Sequence, residues 1–313
     1  MDALAGFLTG PRAVGAFLLR TQMDPPWALR IRDEAPLTIL SVVRGSGCIC
    51  FDDAAPHAID AGDTAIVRGP DHYTVGDSPG TAPQAIIGPG ESCTSVDGGD
   101  VSESMNRGVR TWGNSTSGTV VLLTGTYTGD GEVSRRLLHA LPRLIVLRGE
   151  NWDCPYVRLL AEEVGHAHPG QGAVLDRLLD LVLVTALRTW FTRPEARAPA
   201  WYRARTDPVA GPALRLLHNN PAHPWTVSSL AGQVGVARAM LARRFTELVG
   251  EPPMAFLTGW RLALAADLLL EPDATVQAVA RRVGYGSPFT FSSAYKRRYG
   301  LSPQNHRAAR LAG

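Results

Sequence analysis

Two sets of basic side chains, Arg238 with Arg243 and the run Lys296-Arg297-Arg298, stand at matching places in two copies of one pattern. Arginine offers a fork of N–H donors that matches the O6 and N7 acceptors of guanine, and both arginine and lysine pair with phosphate, so these residues suit chemistry directed at a nucleic acid. The first copy reads TVSSLAGQVGVARAMLARRFTELVG from Thr226 to Gly250. The second reads TVQAVARRVGYGSPFTFSSAYKRRYG from Thr275 to Gly300. Each runs through Thr-Val, Ala, Val-Gly, a tight turn and an apolar pair four apart, with one extra residue in the second turn. That order predicts two helix–turn–helix units. Leu230-Ala231 and Val279-Ala280 lie on the first helices, Gly235 and Gly284 open the turns, and Leu241/Phe245 and Phe291/Tyr295 pack the second helices inward.

The elements that must position these cations follow from the same spacing. Reading helices are expected from about Arg238 to Val249 and from Pro288 to Tyr299, joined by a long apolar helix over roughly Pro253 to Leu270 that sets their separation. Two helices in rigid register can enter successive major grooves about 34 Å apart on one duplex face. With Leu241 and Phe245 inward, the first helix presents Arg238, Ala239, Ala242 and Arg243. Arg243 is the leading base reader, a contact of about 1–3 kcal/mol of discrimination, with a phosphate contact or a solvated side chain as the competing reading. On the second helix Phe289, Thr290 and Ser293 face the groove, and Lys296, Arg297 and Arg298 face the backbone. Phe289 fits a thymine methyl, although an aromatic at helical spacing is more often packing. Ser287 is a suitable N-cap, and Pro288 occupies the first helical position.

On these motifs the last hundred residues resemble the AraC/XylS-type transcriptional regulators. Gly284-Tyr285-Gly286-Ser287, the pair Phe291/Tyr295 and Gly300-Leu301-Ser302-Pro303 fill that family's closing pattern. Upstream, Pro26-Trp27-Ala28, the turn Ala61-Gly62-Asp63, and Arg68-Gly69 followed by His72 resemble the cupin-type sensing domain of a subgroup, as do Leu122 to Tyr127, Ala140-Leu141-Pro142 and Leu178 to Trp190. The resemblance implies an α+β chain of two domains: an amino-terminal cupin-like β-barrel with flanking helices and a carboxy-terminal all-α double helix–turn–helix. It implies a sequence-specific regulator, more often an activator, that answers a small molecule or a redox signal, and it puts Ala239, Ala242 and Arg243 at the base-facing positions. Two residues depart from the pattern. Ala237 stands where a serine caps the first reading helix, a loss of about 1 kcal/mol, and Ser293 replaces a long polar residue.

Charge separates the chain in the same way. Residues 211–313 hold 12 Lys and Arg against 5 Asp and Glu, a net +7, whereas residues 1–210 hold 19 against 24, a net −5. The basic part is the footprint of a module for double-stranded promoter DNA; the acidic part suits sensing or dimerisation. A structural nucleoid protein would spread its cations along the chain instead. Domains are drawn at 1–192 for sensing and dimerisation and at 211–313 for DNA binding, with 193–210, containing Pro194 and Pro199, as linker. No apolar run is long enough to span a bilayer, and Met1-Asp2-Ala3-Leu4 lacks a basic segment before a hydrophobic one, so a cytoplasmic protein without a membrane partner is expected.

Short strands are expected from about Leu37 to Thr128 in Thr38 to Val43, Cys48 to Phe51, Thr64 to Val67 and Val120 to Thr126, forming a sandwich or small barrel. Asp77 to Gly118 reads as long loops. After Gly131 the pattern turns helical, with Leu137/Leu138/Leu141, Tyr156 to Val164 and Ala173 to Phe191. In the last, Leu175, Leu178, Leu179, Val182, Leu183, Ala186 and Leu187 cover more than one stripe. That fits either burial against a second subunit in a homodimer or a core helix of the monomer.

A catalytic cupin needs clustered His and carboxylate ligands, yet the first ligand strand, Thr38-Ile39-Leu40, has none, and only His72, with His57 nearby, is in place. No metal or cofactor is implied, His72 reads as a structural histidine, and an enzyme fused to a DNA-binding module is the alternative to a regulator. The barrel then becomes a cup for an effector, with Trp27, Leu40, Val42, Val67 and His72 as wall residues or equally as core. Cys48 and Cys50 share one strand face, and a thiol near Arg44 or His72 would have a lowered pKa; with Cys93 in a loop, these are the candidates for redox sensing.

Overall fold

The computed structural model describes residues 17–127, 138–194, 196 and 198–311. They divide into two compact units, one containing residues 17–127 and 141–194 and the other beginning at Ala198.

In the first unit the apolar and β-branched runs pair into two sheets. One holds seven strands in the order β10 (Asn106–Gly108), β11 (Thr111–Trp112), β1 (Phe17–Met23), β12 (Val120–Tyr127), β3 (Leu37–Arg44), β6 (Thr64–Arg68) and β13 (Leu144–Leu147). The other holds six, in the order β5 (His57–Asp60), β4 (Ser46–Phe51), β7 (Tyr73–Gly76), β2 (Ala28–Ile31), β8 (Ala85–Ile87) and β9 (Cys93–Thr94). Alternation selects the inner faces: Leu40, Val42, Val67 and Leu122 of the first sheet pack against Ile49, Phe51 and Val75 of the second. The domain is β-rich as expected, built as two packed sheets.

Strand β3 is buried on both faces over Leu37–Val42 because a helix covers its outer side. Helix α1 (Pro155–Glu163) packs on α2 (Gln171–Phe191), whose Leu175, Leu179, Val182, Leu183 and Ala186 are buried. Gly125 of β12 is what lets α2 approach. A Cβ there would come within 2.5 Å of Leu179. The core-helix reading of this segment therefore accounts for most of its apolar residues, while Val174 and Leu181, 46% and 40% exposed, remain on the outside with half-buried Leu178 between them.

Two expectations need correction here. The stretch Asp77 to Gly118 contains strands β8 to β11, of which β8 and β11 pair in parallel with β2 and β1; at two or three residues each they are too short to show alternation. Strand β13 follows Pro142 where a helix was expected to end, and pairs with β6. It is held by Asp63, whose buried carboxylate accepts from Arg148 Nη1 at 2.7 Å and from the Gly149 N–H at 2.8 Å. Leu137 lies outside the described residues.

The second unit is all helix: α3 (Ala200–Arg203), α4 (Ala210–Asn219), α5 (Val227–Val234), α6 (Arg238–Val249), α7 (Pro253–Leu268), α8 (Val276–Arg282), α9 (Pro288–Tyr299) and α10 (Pro303–Leu311). The linker expected over 193–210 is thus partly structural. Ala204 sits in the core of this unit and Trp201 packs against it, because the run AWYRAR has enough apolar surface to close the first helix–turn–helix. No helix among the described residues is long and apolar enough to cross a membrane.

Candidate nucleic-acid interface

Local signals fix the ends of each helix–turn–helix. Thr226 accepts from the Ser229 N–H at 3.0 Å while Ser229 Oγ accepts from the Thr226 N–H at 2.9 Å, a reciprocal cap on α5. Thr275 caps α8 through the Ala278 N–H at 3.1 Å, and Ser287 caps α9 through the Thr290 N–H at 3.2 Å. Gly284 turns the chain at φ 84°, and a Cβ there would lie 2.7 Å from the Ala222 backbone. Ala237 occupies the N-cap of α6 and supplies no side-chain acceptor.

Helix α7 links the two helix–turn–helix motifs by packing in both. Phe256 and Leu257 in its first turns join Leu230, Leu241 and Phe245, whereas Leu262, Ala265, Ala266 and Leu269 join Val279, Phe291 and Tyr295. A helix apolar around its circumference is what such double burial requires. It therefore holds α6 and α9 in a fixed register within one packed body.

With their apolar faces committed, α6 and α9 expose the residues singled out from the sequence. Arg238, Ala239 and Arg243 are exposed on α6 and Ala242 is half-buried. On α9, Phe289 is 83% exposed, Thr290, Ser293, Lys296, Arg297 and Arg298 are exposed, and Phe291 and Tyr295 are buried. An unsatisfied phenyl ring held out in water at the start of a helix departs from the packing reading of Phe289. Met240, 47% exposed beside Ala239, was not singled out from the sequence because methionine at that spacing reads as core.

Partner chemistry divides the basic residues into two groups. Arg244 donates through Nε at 3.0 Å and Nη2 at 2.9 Å to Asp207. Arg261 donates to the carbonyls of Pro221 and His223, Arg282 pairs with Glu271 at 2.5 Å, and Arg307 donates to the Ala274 carbonyl. These arginines bind the fold together. Among the described residues no carboxylate pairs with Arg238, Arg243, Lys296, Arg297 or Arg298. Their charges are available to an anion.

Asp207 went unnoticed in the sequence because it lies in the supposed linker. Its carboxylate accepts from the Val209 and Ala210 N–H groups, starting α4, and holds Arg244 of the reading helix. Burial opposes its ionisation, but the Ala210 and Val209 N–H groups and then Arg244 outweigh that, and its carboxyl sits below the ordinary range.

The effector and redox candidates fare differently. Trp27, Leu40, Val42 and Val67 belong to the closed core, and His72 is exposed in the loop immediately before β7. None of the five lines the cavity of about 260 Å³ in the first unit, which opens instead between β1, β11 and β12 on one side and β2, β7 and β8 on the other. Cys48 and Cys50 do share a face, with Sγ atoms 3.5 Å apart. Burial and then Cys50 push the Cys48 thiol up to about 12, the reverse of the expected activation. Cys93 lines the cavity from β9. Among the described residues no three His, Cys, Asp or Glu side chains converge as a metal ion requires.

Comparison with known proteins places both units. Residues 2–192 match a cupin family model, and residues 230–309 match one for a helix-turn-helix domain. A putative AraC-like transcription regulator of Streptomyces lividans is 31% identical over 288 residues, 90% of each chain. The HTH-type transcriptional regulator AlkR of Acinetobacter baylyi is 27% identical over 98% of this chain and 99% of its own. Among solved structures, the DNA-binding domain of AdpA in complex with a target DNA is 33% identical, with a TM-score of 0.32 over 34% of this chain and 96% of that one. The two family models and the relative from Streptomyces lividans show that the chain belongs to the AraC-like transcription regulators, with a cupin domain ahead of its helix-turn-helix domain.

Proposed function

We propose that this regulator reads promoter DNA by placing α6 and α9 in successive major grooves, with Arg243 and Ala239, Ala242, Phe289, Thr290 and Ser293 toward base edges and Arg238, Lys296, Arg297 and Arg298 toward phosphates. The observation that carries this reading is the sorting of the cations. Arg244, Arg261, Arg282 and Arg307 are bound within the fold, while those on the outer faces of the two reading helices have no carboxylate partner. The amino-terminal unit receives a small molecule in its cavity and acts as receptor, not catalyst; two copies join through the outer stripe of α2. The protein works in the cytoplasm, and by its family's habit it activates.

The test is competition binding of the full chain to its operator against random duplex at fixed salt. Arg243→Ala should relax the preference for one base pair by about 1–3 kcal/mol. Lys296→Ala should weaken all sequences alike and reduce the salt slope by about 1. Indistinguishable effects of the two variants would overturn the assignment of roles.

A further inference from the structure

The cavity of the first unit has a wall of unusual charge. Its lining is mainly apolar, with Leu19, Leu29, Ile31, Ile87 and Trp112 on facing sheets. Two carboxylates, half-buried Asp33 and exposed Glu34, stand in the loop between β2 and β3 that borders it, and among the described residues no lysine, arginine or histidine contributes to the lining. Asp33 is half-buried and accepts from the Ala35 N–H at 3.1 Å. Glu34 holds a left-handed backbone at φ 56°, a conformation costly for a residue with a side chain and frequent where a ligand is clamped. Trp112, 5% exposed, adds an aromatic ring to the lining.

An apolar, aromatic-walled space bordered by carboxylates, with no lining cation among the described residues, discriminates by charge. A carboxylate ligand would meet half-buried Asp33, with exposed Glu34 at the border; a neutral one would leave Asp33 uncompensated; an ammonium group would supply its missing partner in a space that Trp112 and Tyr73 also line. Burial raises the Asp33 carboxyl above its ordinary range, opposed by its Ala35 and own-backbone hydrogen bonds and by the field of exposed His72. That is the signature of a carboxylate without a strong counter-ion.

We propose that the cavity between the two sheets binds a small lipophilic amine in its ammonium form, with Asp33 as the counter-ion and Leu29, Ile31 and Ile87 covering the hydrocarbon part. This deepens, and rests on, the reading of the amino-terminal unit as the receptor for a small molecule.

The experiment is calorimetric titration of the full chain, without DNA, with phenethylammonium, phenethyl alcohol and hydrocinnamate, which share ring and chain length but carry positive, no and negative charge. The ammonium should bind about tenfold more tightly than the alcohol, and the carboxylate weakest of the three. Asp33→Asn should bring the ammonium down to the level of the alcohol while leaving the alcohol unchanged. Ile31→Trp should fill the space and abolish both. If hydrocinnamate or the alcohol binds as tightly as the ammonium, or none of the three binds, the proposal is overturned; this charge series needs no variant and so is independent of any folding defect. Operator binding, measured separately by fluorescence anisotropy, decides the regulator reading on its own, so failure of one is distinguishable from failure of the other.

Discussion

Arg243 and Arg244 are neighbours in the chain with opposite surroundings. Helical periodicity placed Arg243 on the outer face, but nothing local marks Arg244 as bound, because its partner Asp207 lies 37 residues earlier in a segment that reads as linker. Asp207 is ionised more readily in the folded protein than outside it, since the N–H groups of α4 and Arg244 together exceed the cost of burial. The sign of the pH effect follows. A carboxyl whose pKa is lowered by folding contributes stability above its ordinary range, and that contribution disappears as the pH falls through the lowered folded value. Asp207→Asn keeps a cap for α4 but loses the ion pair. Near neutral pH it should cost roughly 1 kcal/mol, discounted because Arg244 is partly in water, and thermal melts of variant and parent should converge in acid. A difference that persists unchanged at low pH would mean that Asp207 acts through packing alone.

Elements were readable where their signals are contiguous. Thr226 with Ser229, Thr275, Ser287 and the turn glycines each lie within a few residues of the groups they cap, so the helices around them could be placed from spacing alone. Strand β13 and the short strands β8 to β11 were missed for the opposite reason, since their partners are distant in sequence and the strands themselves hold only two to four residues. The cavity escaped as well: Leu19, Leu29, Ile87 and Trp112 meet only because four strands of two sheets converge, whereas Trp27, Leu40, Val42 and Val67, more conspicuous in the sequence, close the core. Ala237 is an element-scale defect of the local kind. It begins a reading helix without a side-chain acceptor, in extended backbone at φ −65° and ψ 142° that a serine adopts without strain. Ala237→Ser should therefore stabilise the carboxy-terminal unit by about 1 kcal/mol and slow amide exchange in the first turn of α6. Unaltered exchange there would show that the first turn is already ordered by its packing.

At the scale of the whole molecule, the question is what the acidic unit contributes to a basic reader. Each chain presents five unpaired cations on α6 and α9, and affinity from phosphate contacts falls steeply with salt, by about 0.9 in log–log slope for each phosphate neutralised. Two chains acting together would double that slope and bind paired half-sites, which makes the oligomeric state decisive for occupancy of an operator. Helix α2 offers the means. Its inner stripe is occupied by the sheet, yet Val174, Leu178 and Leu181 continue an apolar row at helical spacing on the other side, where an isolated domain gains nothing from them. Placing a charge in that row would oppose pairing without touching the monomer's core. Leu181→Glu should shift the protein from dimer to monomer in sedimentation velocity at micromolar concentration, leave its far-UV circular dichroism unchanged, and cut the salt slope of operator binding by about half. A variant that still sediments as a dimer would move the interface to another face, and one that remains monomeric with the parental salt slope would show that a single chain already makes every phosphate contact.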